Sequence, residues 1–311
     1  VTGSVVLAVD LGGSAMKGAV IGENGEVIAS ETRATPRLQL IDALVELLEA
    51  LRRAAGDRGY RVVAAGVVTP GIVDEDTGVV LYASNLHWRD VPLRGLLAER
   101  MPFPVAIGHD VRAAGLAEQL LGAARGSDDF VLVTIGTGVA AALITAGHTI
   151  TGAAGAAGEF GHIPVVPGGE VCACGQIGCL EVYASAAGVT RRYAALGGAA
   201  RSSREIVSRL GSDPLADAVW ADATRVLAQG LAIMTLLLDP AVVVLGGGFS
   251  QAGSALLTPV TAGLAAGLAW REAPEVRLSH LGGNAGRTGA AILAFRAAGR
   301  GAVVDGWPPA D

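Results

Sequence analysis

Every cysteine of this 311-residue chain falls within eight positions, Cys172-Ala-Cys174-Gly-Gln-Ile-Gly-Cys179. Thiolates are soft metal ligands, and this Cys-x-Cys-x4-Cys run, with Gly175 and Gly178 to make the bends, offers three of them. His162, ten residues upstream of Cys172, supplies a fourth. Three Cys and one His form a closed set of the kind that holds a structural zinc, whereas a catalytic zinc keeps one position open. Disulfides do not account for the cluster, since an odd number of thiols cannot all pair. Glu159 and Glu181 flank this knuckle. Two readings stand side by side: carboxylates that accept paired hydrogen bonds from a polyol, or ordinary surface glutamates.

A second kind of chemistry is suggested by glycine turns at strand ends. Asp10-Leu-Gly12-Gly13-Ser14 closes the apolar run Val5 to Val9. Glycines there let the backbone approach a phosphate, Ser14 can donate a hydrogen bond, and Asp10 can orient a metal ion or its waters. For one such turn taken alone, an ordinary tight hairpin is the better reading. Gly136-Thr137-Gly138 after Phe130 to Ile135, and Gly246-Gly247-Gly248 after Val242 to Leu245, repeat the arrangement and point to a nucleotide cleft. None is a Walker A loop or a Gly-x-Gly-x-x-Gly fingerprint, which argues against P-loop and Rossmann folds. Asp110, between the strand Val105 to Ile107 and a helical run, is placed to cap the helix, to act as a general base, or to do both.

The elements that must position these residues are those of an α/β protein. The chain is longer than one core usually supports, so two lobes are expected. Half its residues are hydrophobic and only 4% aromatic, which suits helices packed tightly on sheets. Strand, glycine turn and strand recur at Val5 to Ile21 and at Phe130 to Ile144, which reads as an internal duplication whose two halves face each other across one cleft. Helices are expected over Leu40 to Ala54, Val111 to Leu121, Ala184 to Leu196, Leu215 to Leu238 and Ser254 to Leu268, and a strand over Val62 to Val68. The tail from Gly301 onward is expected to be loosely ordered.

Charge excludes some classes. The net charge is -6 and no Lys/Arg-rich run occurs, so no nucleic-acid partner is expected. The charge-free window Phe130 to Gly158 carries six glycines and no sustained apolar run, so no membrane span is expected. No export signal precedes Val5, which points to the cytoplasm.

Taken together, these residues resemble the ROK family (repressors, open reading frames, kinases), within the actin-like, ribonuclease H-like, two-lobed ATPase superfamily. The specific element is Glu159-Phe-Gly-His162 followed by Cys172-x-Cys174-Gly-x-x-Gly-Cys179-x-Glu181. The resemblance implies a smaller lobe from residues 1–118 and 289–311, and a larger lobe, 119–288, with the zinc knuckle and a dimerisation surface. It makes Asp10, Gly12, Gly13 and Ser14 the first phosphate loop and Gly136, Thr137 and Gly138 the second, with Gly247 and Gly248 in the adenosine pocket. Gly71, Asn85, His109, Asp110, Glu159, His162 and Glu181 would line the sugar site, His162 serving both zinc and sugar. The implied activity is transfer of phosphate from ATP, with Mg²⁺, to a hexose, foremost glucose at its 6-hydroxyl, with Asp110 as base. Other hexoses, N-acetylhexosamines, polyphosphate as donor, and a sugar sensor without kinase activity are alternatives, and a homodimer or homotetramer is expected. Because only nine residues precede Asp10, no DNA-binding head is expected.

Three positions depart from the family pattern. His109 stands where an Asn amide usually contacts a sugar hydroxyl, and a titratable imidazole there implies an altered sugar preference. Ala140, Ala141 and Ala142 replace glycines after the second phosphate loop. Were positive φ or close phosphate contact needed there, each methyl would cost roughly 1 kcal/mol and weaken the nucleotide's grip. Asn85-Leu-His-Trp88 lacks a proline often found after Asn-Leu, which implies a reshaped loop.

Overall fold

The computed structural model describes residues 3–200 and 202–310. The first apolar run forms β1 (Gly3–Leu11), in which Val5 to Val9 are all inaccessible to solvent. A strand buried on both faces must be covered on both sides, and its neighbours do this. β1 turns back into β2 (Ala15–Gly22), which continues into β3 (Val27–Ala34). Helix α1 (Leu40–Gly56) then lays Leu44, Leu47, Leu48 and Leu51, spaced along one helical face, into the same core. β4 (Tyr60–Thr69) leads into a small antiparallel sheet of β5 (Ile72–Asp74), β6 (Val79–Ala83) and β7 (Trp88–Val91), followed by α2 (Leu93–Ala98). β8 (Val105–His109) runs without a break into α3 (Asp110–Leu121). The main sheet has the order β3-β2-β1-β4-β8: three antiparallel strands, with β4 and then β8 added parallel to β1.

The second sheet repeats that plan. β9 (Phe130–Ile135), β10 (Val139–Thr145) and β11 (His148–Thr149) form the antiparallel part. After α4 (Leu180–Ala184), α5 (Ala186–Ala195), α6 (Ser203–Val207) and α7 (Pro214–Leu238) come β12 (Val242–Gly246), α8 (Ser254–Ala266) and β13 (Glu275–Leu278). The order is β11-β10-β9-β12-β13, with β12 parallel to both β9 and β13. The internal repeat in the sequence is therefore a repeat of topology. α9 (Ala285–Ala297) closes the helical set.

The chain divides into two compact units, Val1–Gly122 with Thr151–Ala156 and Asn284–Asp311, and Ala123–Ile150 with Ala157–Gly283. The segment 151–156, read from sequence as part of the second lobe, thus belongs to the first unit. Each unit has its own apolar core. α7 is long and apolar enough to cross a membrane, yet 56% of its most apolar stretch is buried within the protein.

Two sequence expectations are corrected. The helix expected over Ala184 to Leu196 breaks at Ser185, whose hydroxyl accepts Gly188 N–H and caps α5. The tail is ordered rather than loose: Trp307 packs edge-on against Phe295 and donates its indole N–H to Glu23 O at 2.8 Å, and Ala310 N–H bonds Leu121 O.

Candidate active site

In the first unit, Asp10 lies at the end of β1 and Gly12, Gly13 and Ser14 make the turn into β2. The turn is braced by Thr35, whose hydroxyl donates to Gly12 O and whose N–H bonds Ser14 O. Asn85 comes against it, since a Cβ at Gly13 would sit 3.3 Å from the Asn85 side chain. Gly71, in the turn after β4, has φ +101. Two residues that the sequence did not single out also reach this place. A Cβ at Gly286, in the first turn of α9, would lie 3.1 Å from Asp10 Oδ2, so the glycine lets the helix approach the carboxyl closely. Arg287 beside it acts electrostatically on Asp10. Burial pushes Asp10 up to about 6, Asp110 adds repulsion, and Lys17 and Arg287 counteract both.

At the β8–α3 junction the capping role falls to a different residue from the one expected. His109 is the N-cap, its Nδ1 accepting Arg112 N–H at 3.3 Å. Asp110 is the first helical residue; its Oδ1 accepts Val111 N–H at 2.7 Å. Relieved of the cap, Asp110 keeps 27% of its side chain exposed. Burial nonetheless raises its carboxyl to about 6, against the opposing pull of the Val111 N–H and Arg112.

His109 is likewise not the titratable group the sequence suggested. It is buried, and burial with the neighbouring Arg112 guanidinium lowers it to about 3, so the ring is neutral at physiological pH. With Nδ1 accepting, its proton must reside on Nε2, which lies 3.6 Å from Asp110 Oδ1. Behind it, Glu75 Oε1 accepts both His109 N–H and Arg112 Nε–H. Arg112 spends its other donors on Val73 O and Gly155 O. The sequence signal for this clamp was one Arg at the third position of α3, between Val111 and the alanines that follow.

In the second unit, Gly136, Thr137 and Gly138 form the β9–β10 turn, closed by Gly136 N–H to Gly138 O at 2.9 Å. Ala140, Ala141 and Ala142 lie within β10, paired with Thr134, Val133 and Leu132. None has positive φ, so their methyls carry no backbone-strain penalty. Glu181, on α4, accepts Val139 N–H through Oε2 at 2.8 Å. Gly246 ends β12, Gly247 has φ +77, and Gly248 starts a 3₁₀ turn.

The knuckle folds as its glycines suggested, with Gly175 and Gly178 both at positive φ. The ligand atoms of His162, Cys172, Cys174 and Cys179 all lie within 4.8 Å of one another. Cys172 Sγ to His162 Nδ1 and Cys174 Sγ to Cys179 Sγ are both 3.7 Å. A tetrahedral zinc with Zn–S near 2.3 Å needs edges of about 3.8 Å, so the set fits such an ion. Backbone hydrogen bonding from Gln176 brings Cys174 down to about 7, while burial and the adjacent sulfurs push Cys179 up to about 12. A thiolate at Cys179 therefore calls for a cation to neutralise it. His162 turns Nδ1 to the thiols and Nε2 toward Glu159, 4.0 Å from Oε2.

Residues 6–297 match the ROK family. The chain is 30% identical to a glucokinase of Streptomyces coelicolor, over 93% of this chain and 97% of that one. It superposes with a TM-score of 0.82 and 33% identity on a ROK family glucokinase from Streptomyces griseus solved with glucose and AMPPNP, covering 94% and 99% of the two chains. It is also 30% identical to the DNA-binding transcriptional dual regulator NagC of Escherichia coli, over 78% of this chain but 61% of the regulator. The knuckle motif, the paired sheets with their glycine turns and these likenesses along the chain's length lead to one assignment: the chain belongs to the ROK family.

Proposed function

We propose that this protein is a sugar kinase that transfers the γ-phosphoryl group of ATP to the 6-hydroxyl of a hexose, glucose first. The observation that carries this reading is the state of Asp110. It is a partly exposed carboxyl, raised to about 6, with one oxygen engaged by the helix backbone and the other available to a hydroxyl. A base of that strength is ionised at pH 7 yet basic enough to accept a proton as the hydroxyl attacks phosphorus. Asp10, Gly12, Gly13 and Ser14 of the first unit and Gly136, Thr137 and Gly138 of the second would be the phosphate-binding turns, with Gly247 and Gly248 serving the adenosine. Asp10 would hold Mg²⁺ or its waters, and the metal supplies charge neutralisation on the transferring phosphate. The repulsion that Asp110 exerts on Asp10 fits a place where a cation is welcome.

Sugar recognition falls to Gly71, Asn85, Glu159, His162 and Glu181. His162 joins the two jobs of the knuckle: Nδ1 on a structural Zn²⁺ leaves Nε2–H fixed as a donor beside Glu159. His109, locked in its neutral form, offers only a donor, which narrows what it can read. The glucokinase structure with glucose and AMPPNP supports both the donor and the acceptor class.

The test is ADP release over a panel of hexoses and N-acetylhexosamines, with ATP and with polyphosphate, and Asp110→Asn as blank. Sugar-dependent turnover that disappears in the variant is the expected result. Turnover surviving in Asp110→Asn would remove Asp110 as the base, and sugar binding without turnover would make the protein a sensor.

A further inference from the structure

The Glu181 carboxylate is committed to the β9–β10 turn before any ligand arrives. Oε2 takes Val139 N–H at 2.8 Å. A Cβ at Gly138 would lie 2.5 Å from Oε2 but 3.9 Å from Oε1, so a side chain there would have to push this one oxygen aside. The same segment holds the turn at a second point, Ala186 N–H bonding Gly136 O at 2.9 Å. That segment starts at the knuckle: Cys179 immediately precedes α4, and Leu180 N–H bonds Ile163 O next to His162. On the other side, Ala141 N–H bonds Gly158 O, and Gly161 packs so close that a Cβ would fall 2.4 Å from Val139 O. Turn, Glu159–His162 run and α4 are stitched into one block within the second unit.

We propose that Glu181 is a positioning residue for the nucleotide turn as well as a reader of the sugar. Oε2 holds the 136–139 turn, Oε1 takes a sugar hydroxyl, and each ligand thereby changes the affinity for the other. The inference rests on the reading above, in which the turn receives phosphate and Glu181 faces the sugar. A sugar hydroxyl on Oε1 adds a second restraint to the carboxylate that already holds the turn, and reciprocity requires nucleotide to favour sugar by the same factor, roughly 5-fold or more.

Calorimetry on the intact, zinc-loaded chain tests this with AMPPNP and glucose titrated separately and together. Glu181→Ala removes the anchor and should weaken AMPPNP binding in the absence of sugar by about 10-fold, the scale of a lost hydrogen bond to a charged group. Glu181→Gln keeps an acceptor oxygen for Val139 N–H and should restore AMPPNP affinity to within about 3-fold of wild type while glucose affinity stays lost. Gly138→Ala displaces the carboxylate without removing it, and should weaken glucose binding although residue 138 belongs to the nucleotide turn. AMPPNP affinity unchanged in Glu181→Ala, or glucose affinity unchanged in Gly138→Ala, would overturn the proposal. Zinc content is measured on each variant, and Gly138→Ala alone decides if Glu181→Ala releases metal. Failure of the wild type to bind AMPPNP at all would instead sink the phosphate reading of the turn.

Discussion

In the first unit the glycine turn between β1 and β2 is backed by Asp10 and Asp110, two carboxyls that burial raises to about 6, Asp10 with added repulsion from Asp110. In the second, the turn at the same place in a sheet of the same topology donates to Glu181, and a thiol cluster stands behind α4. Repetition of the sheet thus settles where each turn goes, whereas its chemistry comes from segments the repeat does not share. In the first unit these are the β8–α3 junction and α9; in the second they are the knuckle and α4. One turn is backed by two raised carboxyls, the other by a frame of hydrogen bonds.

The largest effect expected from breaking this contrast is in the first unit. Asp110→Asn should lower sugar-dependent turnover by roughly 10²- to 10⁴-fold in the coupled assay, the range of a lost general base. Next comes the second unit's frame. Cys179→Ser, or prolonged chelation, should release the metal, abolish saturable glucose binding in calorimetry and lower Tm by roughly 10 °C. Because the turn is tied to α4, nucleotide affinity should fall with it, and intact nucleotide binding in zinc-free protein would show the frame to be looser than its hydrogen bonds imply. Third is pH. A base raised to about 6 must lose its proton to work, so kcat/KM should be flat above that value and fall about tenfold per unit below it. A flat profile down to pH 5 would contradict the assignment.

The smallest effects concern stability, and their signs sharpen the contrast further. Asp110 binds its proton more tightly folded than unfolded, so its contribution to stability is present below pH 4 and lost as pH rises through about 6. Asp110→Asn should therefore raise Tm by a few degrees, roughly 2–5 °C, at pH 8 and leave it unchanged at pH 3. His109 has the opposite sign. Lowered to about 3, it stays neutral in the fold, and the unfolded chain gains a proton as pH falls below 6.5, so stability is lost between 6.5 and about 3. His109→Asn keeps an acceptor for Arg112 N–H and should flatten that acid loss, at a cost of about 1 kcal/mol or less at pH 7. A Tm against pH series on both variants checks the two signs.

Much of this was legible before any coordinates. β1, β4, α1 and α7 follow from apolar runs and one-faced periodicity, and the knuckle follows from Cys spacing with two turn glycines. What escaped was set by neighbours distant in sequence. Nothing in His109-Asp110-Val-Arg112 says that the imidazole takes the cap and frees the carboxylate. That outcome depends on Glu75, from the loop after β5, holding the His109 and Arg112 donors. Gly286 and Arg287 lie nearly three hundred residues from Asp10, and only the packing of α9 against β1 brings them there. The alanines after Gly138 looked costly because sequence does not say where a turn ends; the ladder with β9 draws Val139 and all three into strand.

The sequence by itself determined the family, the doubled strand-turn-strand plan, the ligand set of the knuckle and the identity of the acids and glycines available for chemistry, because each is a matter of residue type at short spacing. The tertiary structure alone decided which carboxyl oxygens are already spent, which histidine is held neutral and which glycine packs against the Asp10 carboxyl. Those properties come from burial and from hydrogen-bond partners supplied by other elements, and free energies of that kind are not written in any local stretch of chain.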